Sequence, residues 1–433
     1  MLPIGLSFQQ APTYSVPFRF FFTAPLFLLA AAALLFAEGP SLMASPHSAA
    51  ALAATHLLTL GFSSMVMCGA LLQLLPVLGG IPLLHAARTA WLVHAPLVAG
   101  STSLVLAFLS GRPLFFHLAL ALLTMAFGCF GLWLARALLK IKQGGASIQG
   151  MRAALAALMV TVSFGMVLAA ARSNGLAIPY VALSSLHPQW GLGGWTFLLI
   201  VGLAYQLIPM FQLTSPYPTR MTSWLIPALL LMLIAKTLGR FFSGPAAEAL
   251  SAAANLGLIA GYLWFAIVTW KLLAQRRRKM HDITLQFWRL GLILLALSGS
   301  IALSSELTGE VLPEPWLMML GVFALPGFIL CVIQGMLYKI VPFLTWFHLQ
   351  SAYPGLGIVP NVRDIHARFH AGKHFALLAV ALATLAASCW LPALSRAAGL
   401  LWMVHAAWLE INVLQAAHIF RKVCRVARMH AAH

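Results

Sequence analysis

Charge is scarce in this chain, and acid is scarcest. Only 8 Asp and Glu stand against 26 Lys and Arg, and charged residues make up 8% of 433. A soluble domain carries roughly 25% charged residues. That shortage, with 61% hydrophobic residues, excludes an ordinary soluble domain and indicates an integral membrane protein. Cysteine is also sparse: Cys68, Cys129, Cys331, Cys389 and Cys424 lie in apolar runs or in the basic tail, with no CxxC. Neither a disulfide framework nor a zinc ribbon is indicated. The apolar run after Arg19, ending near Ala37, has the look of a signal peptide. We read it as a first membrane helix, because two later stretches of the chain begin in the same way.

What is present is a repeat. Gly69, Gln73 and Pro76 in CGALLQLLP return as Gly202, Gln206 and Pro209 in VGLAYQLIP, and as Gly335, Lys339 and Pro342 in QGMLYKIVP. The step is 133 residues both times. A glycine–aromatic pair 15 residues before each proline keeps the step: Gly61-Phe62, Gly194-Trp195 and Gly327-Phe328. Repeats are to be settled before other readings. The expectation is one integral membrane domain of three units, near 1–149, 150–282 and 283–433.

A span takes about 20 apolar residues. Twelve candidates fit, near 17–37, 48–78, 90–110, 113–139, 152–172, 187–212, 222–243, 248–272, 284–306, 315–346, 374–392 and 396–420. That is four per unit, with the glycine–proline signature in the second. Loops after even-numbered spans and the C-terminal tail are strongly basic, with Lys140, Lys142, Arg276, Arg277, Arg278, Lys279, Arg421 and Arg425 among their residues. Loops after odd-numbered spans hold only Arg112, Arg172, Lys236, Arg240 and Arg396, beside Glu38, Glu248, Glu310 and Glu314. Positive charge stays inside, so both termini are expected in the cytoplasm. The net charge of +18 is then a topology signal with some attraction to membrane lipid, and nucleic acid is not an expected partner.

The signature has a structural reading. Glycines let membrane helices approach closely, and the prolines end or kink their helices near the inner edge. Gln73 and Gln206 are placed to bond freed backbone groups, and Lys339 to snorkel to the interface.

Chemistry is expected from the 15 histidines, since ionisable groups inside spans are costly and mark functional sites. The outer half holds His56, His117, His187 and His405; the inner half holds His85, His94, His348 and His418. Imidazole is the commonest metal ligand, and haem takes axial histidines from facing helices. Counting 1.5 Å per residue, His56 is ~12 Å into its span and His405 ~13 Å into its own. This matched depth suggests an axial pair, oriented by Thr59 or Glu410. His117 and His187, near the starts of their spans, suit propionates or an entrance. The competing reading is that each histidine hydrogen-bonds a neighbouring helix. His366, His370 and His374, spaced by four, share one face of a helix and offer copper or zinc a site; the competing reading is an interfacial stretch. Glu410 is a buried acid, either a proton-relay element or a partner for arginine or histidine. Met65, Met67 and Cys68 are soft ligands for Cu(I) or simple packing.

The twelve spans, the threefold four-helix unit and a histidine in the outer part of helix two resemble subunit I of the haem-copper oxidases. In that family a low-spin haem takes a ligand from helix two, where His56 stands. PFRFFFTAPLFLLAAA and HLLTLGFSSMVMCGALLQLLP are more similar to the NnrS family, an offshoot of that superfamily linked to nitric-oxide stress and to haem and copper. The resemblance implies an all-α, threefold pseudo-symmetric bundle in a bacterial inner membrane. It also implies haem b, with copper as a second candidate, and a small gas or redox partner. The oxidase ligand set is missing. Helix six has His187 but no tyrosine at the family's spacing, helix seven has no histidine, and His348 follows helix ten. A binuclear haem–copper centre and oxygen reduction are not expected. A membrane transporter, or an accessory protein handling metal or haem, is the alternative.

Overall fold

The computed structural model describes residues 8–81, 85–142, 144–277, 282–354 and 357–430. The chain is 86% helical with no strand among the described residues. In lipid every backbone N–H and C=O must be satisfied within its own segment, which long helices do. Eleven helices are long and apolar enough to cross a membrane: α1 (Ser15–Glu38), α2 (Ala49–Gly79), α3 (Ala86–Ser110), α4 (Pro113–Lys140), α5 (Ala146–Asn174), α6 (Tyr180–Gln212), α7 (Thr219–Phe241), α8 (Pro245–Ala274), α9 (Ile283–Thr308), α10 (Glu314–Ala352) and, after a shorter one, α12. The shorter one is α11 (Ala371–Ala387), of 17 residues, where a full span had been expected. α12 runs Ser395–His430. The whole is a multi-pass, all-α membrane protein.

The described residues fall into two compact units. One is built mainly from Ala95–His281 and Arg289–Ile329, the other from Ser7–His94, Asp282–Trp288 and Leu330–His433.

The signature helices are the inner ones. In the most apolar windows of α2, α6 and α10, 78%, 72% and 67% of residues are buried, against at most 50% in the other long helices. Each carries a wide, π-type stretch, at Leu57–Ser64, Gln189–Thr196 and Phe323–Ile329. Such stretches are rare and insert an extra residue per turn. Each contains the repeated glycine, and at that glycine another helix packs closely. A Cβ at Gly61 would lie 2.4 Å from Phe27 of α1, one at Gly194 2.9 Å from Ala157 of α5, and one at Gly327 2.9 Å from Leu294 of α9. The second glycine repeats the contact about two turns on, Gly69 against Phe20, Gly202 against the Gly150 backbone and Gly335 against Phe287.

The prolines behave unequally. α2 and α6 end shortly after Pro76 and Pro209, at Gly79 and Gln212, followed by the left-handed residues Gly80 and Leu213. α10 instead continues past Pro342 to Ala352. Ser48 caps α2 as its spacing suggests, its hydroxyl accepting the Ala51 N–H at 3.1 Å. Arg278 and Lys279 of the basic loop lie outside the described residues.

Candidate functional site

His56 sits in α2 immediately before its wide stretch and is half-buried. Its Nδ1 lies 2.8 Å from the Leu52 carbonyl. A carbonyl only accepts, so Nδ1 carries the proton and, in the neutral ring, Nε2 carries the lone pair. This is the tautomer a metal ligand uses, with the backbone fixing the ring. Thr59, proposed for that task, donates instead to the Thr55 carbonyl of its own helix at 2.8 Å. His187 has the same tautomer, its Nδ1 3.1 Å from the Thr161 carbonyl of α5. It does not open its helix as expected, because α6 begins at Tyr180 and His187 lies two turns in. His117 is exposed, and its Nε2 meets Asn174 Oδ1 at 3.0 Å across α4 and α5.

His405 has other neighbours than the expected axial one. It belongs to a fully buried polar cluster of α10, α11 and α12, formed by Gln334, Tyr338, His374, His405 and Asn412, each at most 2% exposed. His405 Nε2 is 2.6 Å from Gln334 Oε1. Its ring stacks on His374 with centroids 4.2 Å apart and planes at 15°, and Trp402 meets it edge-on at 5.4 Å. His374 Nε2 donates to the His405 carbonyl at 2.9 Å. His374 Nδ1 therefore accepts in the neutral ring, and the Tyr338 hydroxyl donates to it in a short hydrogen bond. The amide of Asn412 donates in turn to the Tyr338 oxygen at 2.9 Å. Donor and acceptor roles are thus set along the whole chain. Three of its atoms have no hydrogen-bond partner among the described residues: Gln334 Nε2, His405 Nδ1 and Asn412 Oδ1.

The expected three-histidine face does not form. His366 lies in a short helix, Val362–Ala367, while His370 is exposed with φ +44° and precedes α11, and His374 points into the buried cluster. The left-handed residue breaks the helical register, so the spacing of four no longer places the rings together. Among the described residues no group of three or more His, Cys, Asp or Glu is placed to hold a metal ion.

Lys339 does not merely snorkel. Its ammonium pairs with Asp282 at 2.6 Å, where Asp282 is 8% exposed and also accepts the Thr284 N–H. His366 stands beside this pair. Burial first, then the Lys339 charge, holds its pKa below the ordinary histidine value, with Asp282 opposing. Glu410 is half-buried, and its Oε2 has no hydrogen-bond partner among the described residues. Gln73 is buried with its Oε1 equally unpartnered, and Gln206 is exposed. The expected backbone bonding is thus not made by Gln73 Oε1.

Sequence reasoning missed Gln334, Tyr338 and Asn412. Their signal was present as isolated polar residues in apolar runs, with Tyr338 beside Lys339 inside the third signature. No family model matches this chain, and none of the curated proteins matches it.

Proposed function

We propose that the chain is a haem-binding protein of a bacterial inner membrane, acting in nitric-oxide or respiratory redox metabolism and similar to the NnrS family. Its twelve helices would form three four-helix units in an oxidase-like bundle, with both termini in the cytoplasm. The repeat is supported by the three wide stretches, each with its glycine against the first helix of its unit. The topology is supported by the alternation of loop charge.

The observation that carries the haem reading is the His56 tautomer. Its Nδ1–H is spent on Leu52, and the ring stands at the mouth of a wide turn in a mainly buried helix. This suits one axial ligand. His405 does not suit the other, because its ring is fully buried and one face is covered by the stacked His374 ring. We therefore assign His56 alone and leave copper without ligands. A bound haem would supply one-electron exchange and a place for a small diatomic gas. The contribution of the protein is to hold the imidazole in one tautomer and to keep the site apolar.

A reduced-minus-oxidised visible spectrum of the purified protein tests this. The wild type is expected to show b-type bands, His56→Ala to lose them and His405→Ala to keep them. Absence of bands after expression with ample haem would leave the transporter or accessory reading in its place.

A further inference from the structure

We propose that the C-terminal end of α12 carries a binding site for the phosphate of an anionic phospholipid. A groove of about 540 Å³ lies there, lined by Phe420, Arg421, Cys424, Arg425, Arg428 and Met429. The groove is open to the outside, and all six residues belong to α12.

The level of the groove follows from length and one stacking contact. α12 has 36 residues, ~54 Å at 1.5 Å per residue, and the hydrocarbon core is ~30 Å thick. Its C-terminal part must therefore stand outside the core. Tyr14, the residue before α1, stacks on Phe420 with centroids 3.9 Å apart and planes at 2°. Phe420 is thus at the surface where α1 enters the membrane. Arg421, Arg425 and Arg428 lie roughly 1.5, 7.5 and 12 Å further along the axis. The headgroup layer adds about 5–7 Å on each side, so the arginines begin within it.

The charge there is uncompensated. The three arginines are exposed, and spacings of four and three set them on one helix face. Residues 411–433 contain no Asp or Glu. Among the described residues the ion pair formed is Lys339 with Asp282, which involves none of these arginines. Tyr353 adds a hydroxyl beside Arg428 and Cys424. Guanidinium groups bind phosphate oxygens in pairs, which accounts for the arginines. Phe420, at the membrane surface, adds an apolar wall at the inner end of the groove. A free phosphate or an acidic peptide has no use for that wall, whereas the glycerol and upper acyl chain of a phospholipid lie against it.

The test uses the full chain, purified in a neutral detergent, and needs no cofactor. Native mass spectrometry would follow titration with phosphatidylglycerol and, separately, phosphatidylcholine. Phosphatidylglycerol is expected to stay bound where phosphatidylcholine is stripped. In the triple variant Arg421→Gln, Arg425→Gln, Arg428→Gln its affinity should fall roughly a hundredfold, about fivefold per charge. The matching triple Arg→Lys variant, which keeps charge and fold, should lose much less. Equal retention of both lipids, or an unchanged affinity in the triple glutamine variant, would overturn the proposal. So would full displacement by millimolar inorganic phosphate, which would mark a site for the free anion.

Discussion

Tyr338 joins three helices through one oxygen. It donates to His374 of α11 and accepts from Asn412 of α12, while standing on α10 itself. Tyr338→Phe keeps the ring and strands a buried acceptor and a buried donor at once. Leaving such groups unsatisfied costs ~1–3 kcal/mol, so the variant should show a clearly lower thermal midpoint in detergent. An unchanged midpoint would mean that the cluster contributes nothing to packing. His366 gives a second prediction at this scale. Burial and Lys339 depress its pKa, so the ring stays neutral at pH 7. In the window between its folded value and the ordinary 6.5, the unfolded chain binds more protons, and stability must rise with pH there. Titration of its ring protons by NMR should find the depressed value, and Lys339→Met should bring it back towards ordinary.

The glycines matter as parts of helix pairs, not as loose links. Gly202 of α6 faces Gly150 of α5, and a Cβ there would lie 2.9 Å from the Gly150 Cα. Backbone cannot step aside as a side chain can. Gly202→Val should therefore separate α5 from α6 at a cost of ~1–3 kcal/mol or more, read as loss of folded protein on size-exclusion chromatography. Gly128 of α4 is the control, with nothing within 4 Å of an added Cβ. Gly128→Ala should be neutral or stabilising by up to ~1 kcal/mol, because alanine is the better helix former.

At the scale of the molecule, the short α11 decides the topology. Its 17 residues extend ~25 Å, just under the hydrocarbon thickness. If it crosses, the basic ends of α8 and α12 share one side, as the loop charges require. Single cysteines at Arg276 and Arg421, in a background with the native thiols removed, should be labelled together from the cytoplasmic side. Labelling of only one of them from that side would show that α11 does not cross and would reverse the placement of the C-terminus.

Much of the architecture was legible in the chain alone, for physical reasons. Lipid forces each span into a helix, so apolar length is enough to find the long helices. The 133-residue step marked α2, α6 and α10, and these are the buried helices, because small residues are tolerated where helices press together. The histidines were less legible. Depth along a helix follows from sequence, but azimuth and partner do not, and so His405 came to rest on His374 and Gln334 rather than opposite His56. The left-handed turn at His370 likewise separated three imidazoles that an unbroken helix would have aligned. Sequence by itself determined the helical membrane class and the inner helices. Only tertiary packing decided which polar groups meet, since that depends on rotations about helix axes that no spacing rule contains.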